Sequence, residues 1–275
     1  MSVFSALSLS QSFIYENPSI TKLAVYLSSL QKGFATATVE SIESKRRELF
    51  KLVEKYTLHF PAFSGSIQQM HNEQVVLLTG ATDSLGSNIL AHLISRPEVT
   101  RIYSMSRPYS TGISVKERHI IAFKRESLDI GLLEDLKVIL MDGNAASPGF
   151  KIDRVLYDQT ADSVTHIIHN AWRVNFNVSV SSFESNIKSV RNFIDLSLSD
   201  TRSNPAHLIF ISSVGVLRNS REHKLMPERY QLQPDNAIGM GYGESKWVSE
   251  EIIRRASEIT PLRSTIIRCG QMTGG

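Results

Sequence analysis

The sequence predicts a doubly wound α/β fold built on a parallel sheet. Six apolar runs of strand length, at 75–79 (VVLLT), 102–105 (IYSM), 137–141 (KVILM), 164–168 (VTHII), 207–212 (HLIFIS) and 265–268 (TIIR), alternate with segments of helical period. The runs are apolar on both faces, which is what strands covered by crossover helices on either side require. The first run passes through a glycine-bearing turn straight into a helix, the usual opening of such a sheet. No repeat or low-complexity tract competes with this reading.

The amino-terminal sixty residues have a different texture. Residues 17–30 read as a capped helix, with Asn17 at the N-cap, Pro18 at the first helical position, and Ile20, Leu23, Ala24, Leu27 and Leu30 along one face. Gly33 is placed to end it. A second helix is expected over 41–56, where Leu49, Leu52, Val53 and Tyr56 recur at helical spacing and charges fill the other face. Two short helices make little core alone and need a neighbour. From Pro61 to Gln74 the period is lost and Pro, Gly, Ser and Asn enter, the composition of a linker.

Composition bounds the function. The 275 residues carry 30 basic and 27 acidic side chains, a net charge of +3, with 41% hydrophobic and 21% charged residues. That is ordinary globular usage, which excludes a disordered, collagen-like or disulfide-scaffold protein. Lys45-Arg46-Arg47 is too short a run for a nucleic-acid footprint and reads as a solvated helix face. No apolar stretch is long enough to cross a bilayer, and Met1–Tyr15 lacks a secretory signal's basic and apolar regions, so the expectation is a cytosolic protein. The single Cys269 can form neither an internal disulfide nor a cysteine metal cluster, and is expected as a buried, inert thiol.

Chemistry enters at the glycine turn. In Thr79-Gly80-Ala81-Thr82-Asp83-Ser84-Leu85-Gly86, the two glycines fill the first and last positions of a TGxxGxxG dinucleotide turn, where backbone amides at a helix start meet a pyrophosphate. Asp83 stands at the middle glycine. A carboxylate there would repel a pyrophosphate, unless it turns to solvent or caps the helix beginning near Ser84. The next strand ends Ser104-Met105-Ser106-Arg107, with no ribose-binding acid; Arg107 can pair with a 2′-phosphate, so NADP(H) is preferred over NAD(H). Arg118 on the following helix either adds a second charge or is a surface arginine.

Farther along, Tyr242 and Lys246 lie four residues apart at the start of a predicted helix, hence on one face. Ser212 and Ser213 end the strand HLIFISS, at the carboxyl edge where such sheets bind ligands. Together these groups suit carbonyl reduction: Lys246 holds ribose hydroxyls and favours the tyrosinate, Tyr242 passes a proton to the substrate oxygen, and Ser213 hydrogen-bonds that oxygen. Asn170 and Ala171 follow the fourth strand, where a small residue admits a cofactor. His169 reads as a structural histidine rather than a base, because no acidic partner is evident. Asn186 is either an anchor of the active-site backbone or a helix-surface amide.

The segments LLTGATDSLGSNIL, IYSMSRP, HIIHNAWRVNFN, FESNIKSVRNFI, IFISSVGV, GYGESKWVSEEI and IIRCGQMTGG resemble extended short-chain dehydrogenases/reductases of Rossmann fold. More narrowly they resemble the thioester reductase domain of fungal nonribosomal peptide synthetase-like and aminoadipate reductase-like proteins. The resemblance implies Ser213, Tyr242 and Lys246 as a catalytic triad with Asn186 accessory. It implies NADP(H) contacts from Thr79, Gly80, Thr82, Asp83, Ser84, Leu85, Gly86, Arg107, Arg118, Asn144, Asn170 and Ala171, with Tyr242 and Lys246 also touching the cofactor and no metal. SFIYENPSITKLAVYLSSL is similar to the last helix of a phosphopantetheine carrier domain, without its modified serine. The implied organisation is a carrier remnant and linker helix over 1–60, a linker over 61–74 and an NADP-binding reductase domain over 75–275, its carboxyl-terminal substrate region truncated. The implied reaction is reductive release of an acyl thioester from a phosphopantetheinyl carrier, as aldehyde or alcohol. The alternatives are a truncated, non-catalytic NADP-binding relic and a reductase or epimerase of free small molecules.

Overall fold

The computed structural model describes residues 19–31, 37–63, 65, 73–108, 112–199, 204–220, 228–230 and 233–272. The elements in chain order are α1 (Ile20–Gln31), α2 (Ala37–Thr57), β1 (Gln74–Thr79), α3 (Ser84–Ser95), β2 (Val99–Ser106), α4 (Val115–Arg125), β3 (Val138–Asp142), α5 (Arg154–Ser163), β4 (His166–His169), α6 (Glu184–Ser197), β5 (His207–Ser213), α7 (Gly241–Ile259) and β6 (Ser264–Cys269). The strands form one sheet in the order β3-β2-β1-β4-β5-β6, with every pairing parallel. All six predicted runs are strands. Their ends differ by at most three residues, because the ladder continues into flanking polar positions such as Thr100 and Arg101 that periodicity leaves out.

Side chains alternate across the sheet as a two-residue period demands. Val76 and Leu78 of β1 enter one core with Leu90, Ile94 and Phe123 of α3 and α4, while Leu77 enters the other with Tyr103, Ile167, Phe210 and residues of α6 and α7. Helix starts carry the caps that local sequence provides: Ser114 accepts from the Glu117 amide at α4, and Asp153 accepts from the Val155 and Leu156 amides at α5.

The second amino-terminal helix has found its neighbour. Leu49 and Val53 are fully buried in α2, and Phe50 meets Trp247 of α7 edge-on at 5.5 Å. Arg46 makes a forked pair with Asp235 at 2.6 Å on both arms. At the other end Arg191 of α6 donates to the carbonyls of Tyr56, Leu58 and His59, supplying partners that a helix terminus lacks. So α2 packs as part of the sheet's helical layer, which its own period did not specify. The first helix differs: of its predicted apolar face Ile20 is 89% exposed and Ala24 is exposed, while Leu23 and Leu27 are half-buried. The expected N-cap Asn17, Pro18, the helix-ending Gly33 and most of the 61–74 linker lie outside the described residues.

Cys269 departs from expectation. It is half-buried, at the end of the edge strand β6, paired with Ser213 of β5. An edge strand has a neighbour on one side only, so its last side chain is not enclosed.

Candidate active site

The sheet reverses its winding between β1 and β4, and the crevice at the carboxyl ends of strands beside such a point is where open α/β sheets take ligands. A cavity of about 410 Å³ lies there. Thr79, Gly80, Thr82 and Asp83 of the glycine turn line it, with Ser106 and Arg107 after β2, Asn144 after β3, Ala171 and Trp172 after β4, and Asn186 and Ser189 on α6.

Both glycines of the turn are sterically required. Gly80 has φ +78°, and a Cβ on it would lie 2.8 Å from the Ala171 amide nitrogen; a Cβ on Gly86 would lie 1.9 Å from the Gly80 carbonyl oxygen. Position 83 has no such demand, since its backbone is extended at φ −99°. Asp83 caps α3: its carboxylate accepts from the Gly86 amide at 2.8 Å and from the Asn170 side-chain amide at 3.0 Å. Of the two sequence-level possibilities for Asp83, the structure has the cap. The outer side of the residue is open to solvent, but the turn behind it desolvates the carboxylate and raises its pKa, against the lowering effect of the Gly86 and Asn170 hydrogen bonds and of Arg125. An internal anion thus holds one of the amides at the helix start. Ser84, Leu85 and Gly86, expected at the cofactor, are not in the cavity lining; the Ser84 hydroxyl donates to Glu126 instead.

One corner is rich in unspent donors. Ser106 is 6% exposed with no partner for its Oγ, and the buried Nε of Arg118 also has none. Both residues line the cavity beside the exposed Arg107. Arg118 is not the open surface arginine that was the competing expectation: its side chain is 11% exposed, and its guanidinium donates to the Arg107 carbonyl and pairs with Asp142. Asn144 spends its Oδ1 on the Ala146 amide at 3.1 Å. Buried donors left without partners are costly unless a ligand completes them, so the corner fits an anionic group such as the phosphate of a dinucleotide.

The predicted chemical residues are gathered, though not all at the cavity. The Ser213 Oγ at the tip of β5 accepts the Gly215 amide at 3.0 Å, and a Cβ added to Gly215 would meet both that oxygen and the Tyr242 ring of α7 within 4 Å. The phenol sits edge-on to Phe176 at 5.2 Å, and burial raises its pKa while the nearby Ser213 hydroxyl lowers it. Lys246, one turn along α7, is 2% exposed; its Nζ donates to the Ile211 carbonyl at 2.6 Å and lies 4.0 Å from the Trp172 ring centroid. Burial holds its pKa well below the lysine range, against the raising effects of Cys269, Glu250 and Asp83. Trp172, which donates to the Ser245 hydroxyl at 3.3 Å, covers the amine. Lys246 was expected to reach ribose hydroxyls; the structure has it behind Trp172 and outside the cavity lining.

Asn186 does line the cavity, and its carbonyl accepts the Ser189 hydroxyl at 2.5 Å. His169 is structural in its bonding: Nδ1 meets the Thr79 hydroxyl and Nε2 the Ser189 hydroxyl, both at 2.9 Å, and burial lowers its pKa to about 3. Sequence reasoning passed over Ser106, Trp172 and Ser189. Ser106 adjoined the singled-out Arg107 and Trp172 followed Ala171, so chain proximity was the available signal; Ser189 had none.

Comparison with known proteins fits this geometry. The model of the NAD-binding family described as "Male sterility protein" matches residues 78–275. The adenylate-forming reductase Nps10 of Heterobasidion annosum is 39% identical over 267 residues, covering 97% of this chain and 24% of that protein. The chain spans about a quarter of the length of the adenylate-forming reductases it matches. Among solved structures, the terminal R domain of a myxalamid PKS-NRPS pathway is similar at TM-score 0.71 and 26% identity, over 82% of this chain and 56% of that one. A thiolation-reductase di-domain of an archaeal nonribosomal peptide synthetase shares the fold at TM-score 0.63 and 24% identity, over 96% of this chain and 53% of that one. The matched span runs from β1 past β6, through every strand tip that lines the crevice, and the chain belongs to this NAD-binding male sterility protein family.

Proposed function

We propose that the chain is the dinucleotide-binding portion of an NADPH-dependent reductase that releases an acyl thioester from a phosphopantetheinyl carrier as an aldehyde or alcohol. The observation that carries it is the nearness of Ser213, at the tip of β5, to Tyr242 at the start of α7: a Cβ added to Gly215 would lie 3.3 Å from the Ser213 Oγ and 3.8 Å from the Tyr242 ring, on the same sheet edge as the glycine-turn cavity. When bound, the reduced nicotinamide supplies the hydride. Tyr242 carries the proton for the substrate oxygen and Ser213 orients that oxygen; the phenol, its pKa raised by burial, holds that proton at neutral pH until it is passed on. Lys246 acts once its amine leaves the Ile211 carbonyl. Ser106, Arg107 and Arg118 favour NADP(H), since their donors suit a 2′-phosphate.

In this reading residues 1–60 hold a carrier remnant and a linker helix, 61–74 the linker and 75–275 the reductase domain. The packing of α2 on α7 supports treating the linker helix as part of the reductase body. The relatives named as adenylate-forming reductases, and the likeness to a terminal R domain, support the substrate class. A second reading, a dinucleotide-binding module without turnover, is favoured by the sequestered Lys246.

The test is turnover of a model acyl thioester, followed by NADPH consumption, in the wild type and in Tyr242→Phe. We expect the phenylalanine variant to lose activity about a hundredfold or more with NADPH affinity unchanged. Undiminished turnover in the variant would remove the phenol from the chemistry, and tight NADPH binding by an inert wild type would favour the second reading.

A further inference from the structure

We infer that His169 is a positioning residue for the dinucleotide turn, locked by Ser189 as the tautomer whose Nδ1 accepts a hydrogen bond from Thr79. The inference rests on the cofactor half of the proposed function and not on its thioester chemistry.

Proton accounting fixes the tautomer. The Ser189 hydroxyl has one proton, and the Asn186 carbonyl 2.5 Å away can only accept it. The Nε2 of His169, 2.9 Å from the same oxygen, therefore donates. In a neutral ring Nδ1 is then an acceptor, and the Thr79 hydroxyl at 2.9 Å donates to it. The Thr79 oxygen in turn accepts the Ala171 amide at 3.1 Å. A single direction runs from the Ala171 amide through Thr79, His169 and Ser189 to the Asn186 carbonyl, with every donor matched. The opposite tautomer would set two N–H groups against Thr79, strand the threonine proton and leave Nε2 facing Ser189 without a donor.

The chain lies at the floor of the cavity and is nearly closed to solvent. Thr79 and His169 are each 1% exposed and Ser189 is 4% exposed. Phe193 stands 4.8 Å from the imidazole, ring centre to ring centre. So little solvent reaches the bonds that a lost partner is poorly replaced, and an error at the ring is passed to Thr79. Thr79 is the residue before Gly80, and a Cβ on Gly80 would meet the Ala171 amide at 2.8 Å, so the Thr79–Ala171 bond sets how the turn seats against β4. The ring nitrogens thereby divide the labour: Nε2 reads α6 and Nδ1 holds the turn.

This predicts an asymmetry between two amide substitutions. The side-chain oxygen in His169→Asn occupies the Nδ1 position and can still accept from Thr79, whereas His169→Gln reaches only the Nε2 position. NADPH titration should show affinity reduced about tenfold or more in His169→Leu and His169→Gln, and within about threefold of wild type in His169→Asn. A purely structural histidine would be damaged equally by both amides, so equal losses overturn the inference. A long-range proton–nitrogen spectrum of the histidine-labelled wild type should show His169 as the Nε2–H form, unprotonated from about pH 8 down to about pH 5. An Nδ1–H signature, or titration in that range, overturns it even if the variants fail to fold. Failure of the wild type to reduce a thioester while binding NADPH would count against the proposed reaction alone.

Discussion

Asp83→Asn tests how much an internal carboxylate at the helix start costs the cofactor. The substitution keeps the geometry, because asparagine caps helices about as well as aspartate and its oxygen can accept from both Gly86 and Asn170. Besides the charge, the substitution loses only the longer Asn170 contact to the second carboxylate oxygen, at 3.2 Å. Two like charges about 5 Å apart repel by ~3 kcal/mol at an effective dielectric near 20. Asp83 is open to solvent on one side, so roughly half of that survives, ~1.5 kcal/mol or about tenfold in affinity. NADPH binding, titrated by fluorescence at low salt, should therefore be about tenfold tighter in Asp83→Asn, and the advantage should shrink at higher ionic strength. The pKa of this carboxylate is raised, chiefly by desolvation, so it takes up a proton as the pH is lowered toward that value. The ratio of wild-type to variant dissociation constants should accordingly fall toward one on acidification, and titration of the cofactor itself cancels in the ratio. Asp83→Ala should gain affinity too while losing ~1 kcal/mol of stability with the cap. Equal affinities at neutral pH and low salt, or a tighter wild type, would refute the reasoning.

Arg107→Ala should weaken NADPH binding about tenfold to a hundredfold and leave NADH binding nearly unchanged, because only the former has a 2′-phosphate to lose; parallel titrations decide it, and equal losses would remove the arginine from cofactor selection. Arg191→Ala strands the carbonyls of Tyr56, Leu58 and His59 together with the partner carboxylate of Asp195. It should cost ~2–4 kcal/mol in urea unfolding, with Arg191→Lys recovering only part because an ammonium lacks the fork. A loss below ~0.5 kcal/mol would mean that α2 lies outside the cooperative unit.

Among the described residues, no helix is long and apolar enough to cross a membrane, as the hydropathy reading expected. The strands, their parallel arrangement and the glycine turn were legible because each is written in contiguous residues. An apolar run such as 75–79 needs cover on both faces wherever it sits, and Gly80 and Gly86 bear the steric demand of the turn itself. The nearness of Ser213 to Tyr242 could be anticipated from strand and helix positions, since both stand at ends whose place in such a sheet is known beforehand.

What sequence could not decide is where side chains spend their bonding capacity. Nothing local distinguishes an Asp83 that crowds a ligand from one that caps α3; the choice was made by the Gly86 amide and by Asn170, eighty-seven residues away. Lys246 reads as a ribose contact by spacing, yet its amine rests on a β5 carbonyl under an indole from the β4 loop. The burial of α2 depended on Trp247, Asp235 and Arg191, all distant in the chain. Periodicity records which face an element must hide, a property of neighbouring residues. Charge placement, tautomer and helix docking are settled by partners that only the folded chain brings within hydrogen-bond or van der Waals reach.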